Sequence, residues 1–308
     1  MDSKSVENTP SQTALFTALR RALAHKRYQD ESFGPDAFAE VFLPGYYKFF
    51  LTFAWVRNNM WKKLAAFMPG MNEYIIARTA FFDELFQKAL QEGLPQIVLM
   101  GAGYDSRAYR FAHLNHGTTI YELDAPPTQL RKARCLQASR IPVPPAVQLI
   151  PINFRKETLG EALEKAGYQS QSKTLFLWEG VSYYLDQEAV KETLGFVGRS
   201  AGSGSRVAFD YTIPLSEENI QASYGSSQFM QSMQEHHANE AFLFSLPEQE
   251  MGLFLASLNL RLVEHLASQA LEQKYLTDAQ GVSIGHPTGN FRLVYAEQNS
   301  VFTPVPGI

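Results

Sequence analysis

A single cysteine, Cys135, occurs in 308 residues. One thiol excludes an intrachain disulfide and a cysteine-based metal cluster, and it fits a reducing cytoplasm. Cys135 itself reads as a small buried hydrophobe. A strong charge of one sign is also missing. The 27 basic and 31 acidic residues give a net charge of -4, without the basic footprint that a nucleic-acid partner would require. The N-terminus MDSKSVENTPSQTALF lacks the basic start, apolar run and small-residue cleavage site of a secretory signal. No hydrophobic run is long enough for a bilayer. The most apolar stretch, YYKFFLTFAW at 46–55, is too short to span and carries Lys48, so it reads as buried or interfacial, and no membrane partner is expected. Internal repeats and low-complexity tracts are absent. The adjacent pair His236 and His237 stands in a polar QEHHANE stretch with no further ligand at metal spacing, so it reads as a solvated helix face and no metal is expected.

What is present divides the chain by its hydrophobic period. Residues 1–93 read as a helical preface, with helices expected over 13–27, 55–68 and 72–91, the last closed by Gly93 and Pro95. From residue 96 the period changes. IVLM (97–100) is a short continuous apolar run of the kind a strand covered on both faces shows. Further strands are expected at 118–124, 147–150, 174–178 and 206–211, separated by helical patterns at 127–139, 157–166 and 186–199. That alternation predicts an α/β fold with a doubly wound, mostly parallel sheet over 94–308. A polar helical insertion is expected at about 215–255, and two last strands, LRLVEHL and FRLVYAEQ, form a closing antiparallel pair with a long loop between them.

The first strand runs directly into Gly101-Ala102-Gly103. Such a turn lets backbone approach a ligand at the carboxyl edge of the sheet. A lone glycine pair is weak evidence, and the lesser alternative for it is a tight turn followed by a helix-capping Asp before Pro126. It gains weight from Asp124, which ends the next strand where a carboxylate would accept hydrogen bonds from ribose hydroxyls. A dinucleotide site would need a third glycine where this chain has Ser106, and small residues where it has Tyr104 and Asp105. The pattern favours one nucleoside and no pyrophosphate, as in S-adenosylmethionine. Asp105 and Arg107 read as a structural pair across the turn.

Four blocks, ARTAFFD (77–83), GAGYDSRAYRF (101–111), YELDAP (121–126) and WEGVSYYL (178–185), occur in the order and spacing of the leucine carboxyl methyltransferase family, which the chain resembles over about 78–211. The resemblance implies a class I methyltransferase fold, Rossmann-like and seven-stranded, with S-adenosyl-L-methionine as cofactor. It implies that Arg78 pairs with the methionine carboxylate, a role suited to the guanidinium fork. Gly101, Ala102 and Gly103 would face the methionine portion and Asp124 the ribose. Asn153, followed by Phe154, stands where the family carries an Asp for the adenine amine; an Asn can still accept through its side-chain oxygen.

Glu179, just past the fourth strand, falls where the sulfonium and the acceptor should meet, and Tyr183 and Tyr184 follow one helical turn later. Glu179 and Tyr183 are therefore the candidate acting residues. The aromatics Tyr46, Tyr47, Phe49, Phe50, Phe53, Trp55 and Trp61 read as partly core and partly a lid that excludes water. No convincing general base is visible, and together with the family resemblance this makes in-line O-methylation of a carboxylate on a small molecule or peptide terminus the expected reaction. A hydroxyl O-methyltransferase is the alternative, ahead of an NAD(P)-binding oxidoreductase or a non-catalytic cofactor-binding protein.

Overall fold

A computed structural model describes residues 9–28, 33, 36–153, 157–214, 216–236 and 242–299, and only the backbone of 222 and 233–236. Four helices precede the sheet: α1 (Gln12–Arg27), α2 (Gly45–Phe50), α3 (Ala54–Phe67) and α4 (Met71–Gln91). The alternating section then runs β1 (Gln96–Met100), α5 (Arg107–Arg110), β2 (Thr119–Asp124), α6 (Pro126–Ala138), β3 (Val147–Pro151), α7 (Leu159–Lys165), β4 (Thr174–Trp178), α8 (Gln187–Ser200) and β5 (Arg206–Thr212). After α9 (Glu217–Ala222) and α10 (Ser226–His236) come α11 (Met251–Ser257), β6 (Leu260–Leu266), α12 (Ser268–Tyr275) and β7 (Phe291–Gln298). The anticipated strands and main helices are present within a few residues of their expected bounds. The stretch between the last two strands, read as a loop, contains α12, whose Leu271 is fully buried.

The seven strands order as β3-β2-β1-β4-β5-β7-β6. The first five pair in parallel, whereas β7 is antiparallel to both β5 and β6. β1 and β4 are buried along their whole length, which explains why both are apolar without alternation. Along β1, Ile97 and Leu99 enter one core with α1, α4 and α12, and Val98 and Met100 enter a second with α7, α8 and α11. Helix starts are fixed by side-chain caps. Ser11 accepts from Ala14 N on α1, Asp186 from Ala189 N on α8, and Thr158 forms a reciprocal capping box with Glu161 on α7.

One expectation is corrected. Cys135 is half-buried at the margin of the first core, not enclosed in it, because α6 presents it beside exposed polar residues. Of the aromatic run, Trp61 is buried, Tyr47 is half-buried, and Tyr46, Phe49, Phe50, Phe53 and Trp55 face outward. They sit on α2, its short link to α3 and the first turn of α3, where Leu51 is the one buried residue between 45 and 55. Among the described residues, no helix is long and apolar enough to cross a membrane.

Candidate active site

The strand order reverses between β1 and β4, so their carboxyl ends diverge into a crevice, the place where open α/β sheets hold ligands. Both chains leave the sheet there through left-handed glycines: Gly101 at φ +66° and Gly103 at +46° after β1, Gly180 at +74° after β4. A Cβ on Gly101 would stand 2.6 Å from Val181 Cγ2, and one on Gly180 would stand 3.1 Å from Arg78 Nη1. Only glycine allows these two turns and Arg78 to close on one another.

Asp124, at the end of β2, holds the first turn. Its Oδ2 accepts from Gly103 N at 2.5 Å and its Oδ1 from Ala125 N at 2.7 Å. Burial raises its carboxyl pKa, and those two donors recover only part of the cost of its charge. The beginning of α1 approaches the same turn, with Ala14 Cβ 3.3 Å from where a Gly103 side chain would begin. Asn153 follows β3 at the same edge, half-buried, its carbonyl accepting from Glu157 N. Phe154 lies outside the described residues.

Arg78 is not a surface helix arginine; it is 4% exposed. Its Nε donates to Glu179 Oε1 at 2.9 Å, and its Nη1 donates to Asp210 Oδ2 at 3.0 Å and to the Tyr183 hydroxyl at 3.4 Å. The other oxygen of Glu179 lies 2.7 Å from Arg107 Nη1. Arg107 continues to Asp105 at 2.5 Å and Asp83 at 2.7 Å, bearing out the pair expected across the turn. Arg110 grips Asp83 through two nitrogens, at 2.8 and 2.7 Å, and reaches Asp36, which meets Arg21 at 3.0 Å. The result is a continuous buried chain of four guanidiniums and five carboxylates from β5 back to α1.

The charges are mutually conditioned. Burial alone would raise Glu179, but Arg107 and Arg78 hold its carboxyl below the usual range. Asp105 behaves likewise: burial opposes its ionisation, yet Arg107 brings it down to about 2. Asp210 goes the other way, because burial outweighs Arg78 and the Gly180 N–H at 2.6 Å. Tyr183 and Tyr74 are pushed well above their ordinary values, first by burial and then by Asp210. Neither phenol gives up a proton near neutrality, and Glu179, held by two arginines, is a weak base.

Asp210 was not anticipated from the sequence. It accepts from Arg78, from Gly180 N and, at 2.8 Å, from the Tyr74 hydroxyl. The signal was an acid inside an otherwise apolar strand, RVAFDYT, whose burial requires a partner. Tyr183 packs among Tyr184, Phe242 and Phe291 with centroids 4.7 to 5.4 Å apart, forming an aromatic wall beside Arg78. A cavity of about 850 Å³ lies elsewhere, over the solvent side of α4 between Phe38 and Gln91, and touches the charge chain only at Asp83 and Arg110.

Comparison with known proteins gives the same region a lineage. The sequence profile described as leucine carboxyl methyltransferase matches residues 14–198. A relative from Mycolicibacterium paratuberculosis, provisionally named an S-adenosyl-L-methionine-dependent methyltransferase, is 32% identical over 228 residues, 68% of this chain and 66% of its own. A likewise named protein from Mycobacterium avium is 37% identical over 150 residues, 48% of this chain and 47% of its own. The chain thus spans about half the length of several of the curated relatives it matches. Among solved structures, a provisionally named methyltransferase from Thermobifida fusca superposes with a TM-score of 0.57 at 14% identity, covering 79% of this chain and 88% of that one. That likeness speaks for the fold.

Proposed function

The chain belongs to the leucine carboxyl methyltransferase family, and from that premise we propose that it is an S-adenosyl-L-methionine-dependent O-methyltransferase acting on a carboxylate of a small molecule or peptide terminus. The observation that carries the reading is the meeting of the Gly101–Gly103 turn, tied to Asp124, with the Arg78–Glu179 pair. The residues fit the cofactor in shape, since a Cβ would fill the cradle at Gly101. They also fit it in charge: four guanidiniums against five carboxylates leave the buried chain one negative charge in excess, complementary to a donor whose ammonium, carboxylate and sulfonium sum to +1. An anionic dinucleotide would be opposed by the same excess.

In this reading Arg78 would hold the methionine carboxylate and Glu179 the ammonium. Gly101, Ala102 and Gly103 let backbone lie against the amino-acid portion. Asp124 keeps acceptor capacity for ribose hydroxyls beyond the bonds it already accepts from Gly103 N, Ala125 N and Thr128. Asn153 and Phe154 are assigned to the adenine end. When bound, the cofactor supplies an electrophilic methyl group; the chain's part is to orient, to exclude water and to hold charge.

Tyr183 borders the acceptor with its phenol protonated, able to donate a hydrogen bond but not to take up a proton. A carboxylate acceptor needs no base, because it is already ionised at neutral pH; that the described carboxylates at this edge, Glu179, Asp210 and Asp124, are engaged by arginines or backbone N–H groups supports it over a hydroxyl. The reading keeps 1–93 as a helical segment folded against a methyltransferase domain, with α1 as the cover nearest the turn, supported by the approach of Ala14 to Gly103. It extends to a cytoplasmic enzyme, for which the support is the solitary thiol. Calorimetry tests the core of it: S-adenosylhomocysteine should bind, and NAD(H) and NADP(H) should not.

A further inference from the structure

From residue 41 to residue 72 the chain has no acidic residue, while Lys48, Arg57, Lys62 and Lys63 fall within it. The segment carries +4 in a chain of net charge -4, which leaves -8 for the rest. The same segment displays Tyr46, Phe49, Phe50, Phe53 and Trp55 to solvent, with Trp55 71% exposed. Phe49 packs edge-on to Phe50 and Phe53 with centroids 5.7 and 5.5 Å apart, so the rings form one raised cluster. On α3 the exposed positions 55, 58, 59, 62, 63 and 66 share one side and place Trp55 and the two lysines along it at helical spacing.

Lys48 and Arg57 are anchored on backbone carbonyls, the first on Val41 and the second on Leu51 and Thr52. They shape the cluster from beneath. An aromatic cluster of this extent is not an ordinary monomer surface. Rings exposed beside cations with no acid among them match the interface of an anionic bilayer, where tryptophan and phenylalanine enter the headgroup boundary and lysines meet lipid phosphates.

We propose that α2, its link to α3 and the exposed side of α3 form a peripheral docking surface for an anionic phospholipid membrane. A second copy of the chain fits poorly, because an isologous contact would set four cations against four. The contact is interfacial and not spanning, and it revises the sequence-based expectation of no membrane partner. The inference is independent of the methyl-transfer reading.

The protein carries its own probe. Of its three tryptophans, Trp61 and Trp178 are 9% and 2% exposed, so Trp55 alone can change surroundings on docking. The full chain is mixed with vesicles of phosphatidylcholine and phosphatidylglycerol in equal parts, or of phosphatidylcholine alone. The expected result is flotation with the mixed vesicles only, a blue shift of emission and loss of iodide quenching, all reversed by high salt. Lys62→Glu/Lys63→Glu should weaken partition by about tenfold or more, Phe49→Ser should weaken it without altering charge, and Trp55→Phe should remove the spectral change. Four results would each overturn the proposal. They are no flotation, equal binding to neutral vesicles, a lipid-free dimer in which iodide cannot reach Trp55, and shielding of Trp55 by S-adenosylhomocysteine without lipid.

Discussion

Arg78 and Glu179 meet at 2.9 Å although 101 positions separate them in sequence. The pair joins α4 to the end of β4, and each partner is committed a second time, Arg78 to Asp210 and Glu179 to Arg107. Removal of either therefore leaves buried charge uncompensated.

Arg78→Ala takes a cationic partner from two buried carboxylates and should cost about 3–5 kcal/mol of stability, with affinity for S-adenosylhomocysteine falling by about tenfold to a hundredfold. Arg78→Lys keeps the charge without the fork. It should melt closer to the parent yet bind about tenfold more weakly. Thermal melts and calorimetry on both variants separate the two effects, and unchanged affinity in a folded Arg78→Ala would remove Arg78 from the site.

Gly101→Ala forces a side chain into φ +66° and against Val181 Cγ2 at 2.6 Å. The strain should cost about 1–3 kcal/mol and move the turn off the ligand. In Gly101→Ala/Val181→Ala the clash is relieved and the dihedral is not, so stability should return in part and affinity should not. Denaturant titration and calorimetry of the pair distinguish a cradle from a mere turn.

Stability should fall in acid for a traceable reason. Asp105 titrates at about 2 because Arg107 outweighs its burial, against an unfolded value of about 3.9. A lowered folded pKa gives stability that is fully present above the unfolded pKa and lost as pH falls through the folded one. The group should contribute about 2–3 kcal/mol at neutrality, disappearing between about pH 4.5 and 2. Glu179 and Asp36 are also lowered and act in the same direction. Asp210 and Asp124 are raised and oppose it. Asp105→Asn should flatten the acid limb of stability against pH in urea melts; an unchanged limb would show that Arg107 does not hold that carboxylate.

The bond that is formed can be read chemically. With methyl-labelled S-adenosylmethionine and an extract of the native host, a carboxylate acceptor yields an ester from which mild alkali releases volatile label. Base-stable label would refute carboxyl methylation while leaving methyl transfer intact. A steep rise of rate through neutral pH would likewise point to a hydroxyl that must lose a proton.

The sheet was legible in the sequence because strands buried on both faces cannot avoid long apolar runs: IVLM and TLFLW announce themselves. The glycine turn and Asp124 were legible because each answers a backbone demand at a strand end. Asp210 was harder to see, since its partners come from β4 and α4, and no local pattern states that a helix 132 residues earlier in the chain presents Arg78 to it. Asp36 is farther still from inference. It sits in an irregular stretch, and its worth comes from Arg21, Ser106 and Arg110, none of them its neighbour in sequence. α12 escaped because SQALEQKY offers a single buried leucine, too little for a periodic signal.

β7 has a consequence for how the protein is born. Residues 291–298 emerge from the ribosome after every other strand, yet they lie between β5 and β6. Until then the apolar edge of β5 stands open, and β6 has no partner in the sheet. From the completion of β5 at residue 212 until residue 291 is made, the nascent chain thus carries an unpaired, two-faced hydrophobic strand, which is a template for strand exchange with a neighbouring polysome product. Phe291, which stacks on Tyr74 with centroids 4.4 Å apart, arrives with that strand. Chaperone demand during translation should therefore concentrate on β5, and ribosome-bound chains stalled before residue 291 should cross-link to holdases there and release them once the strand is delivered.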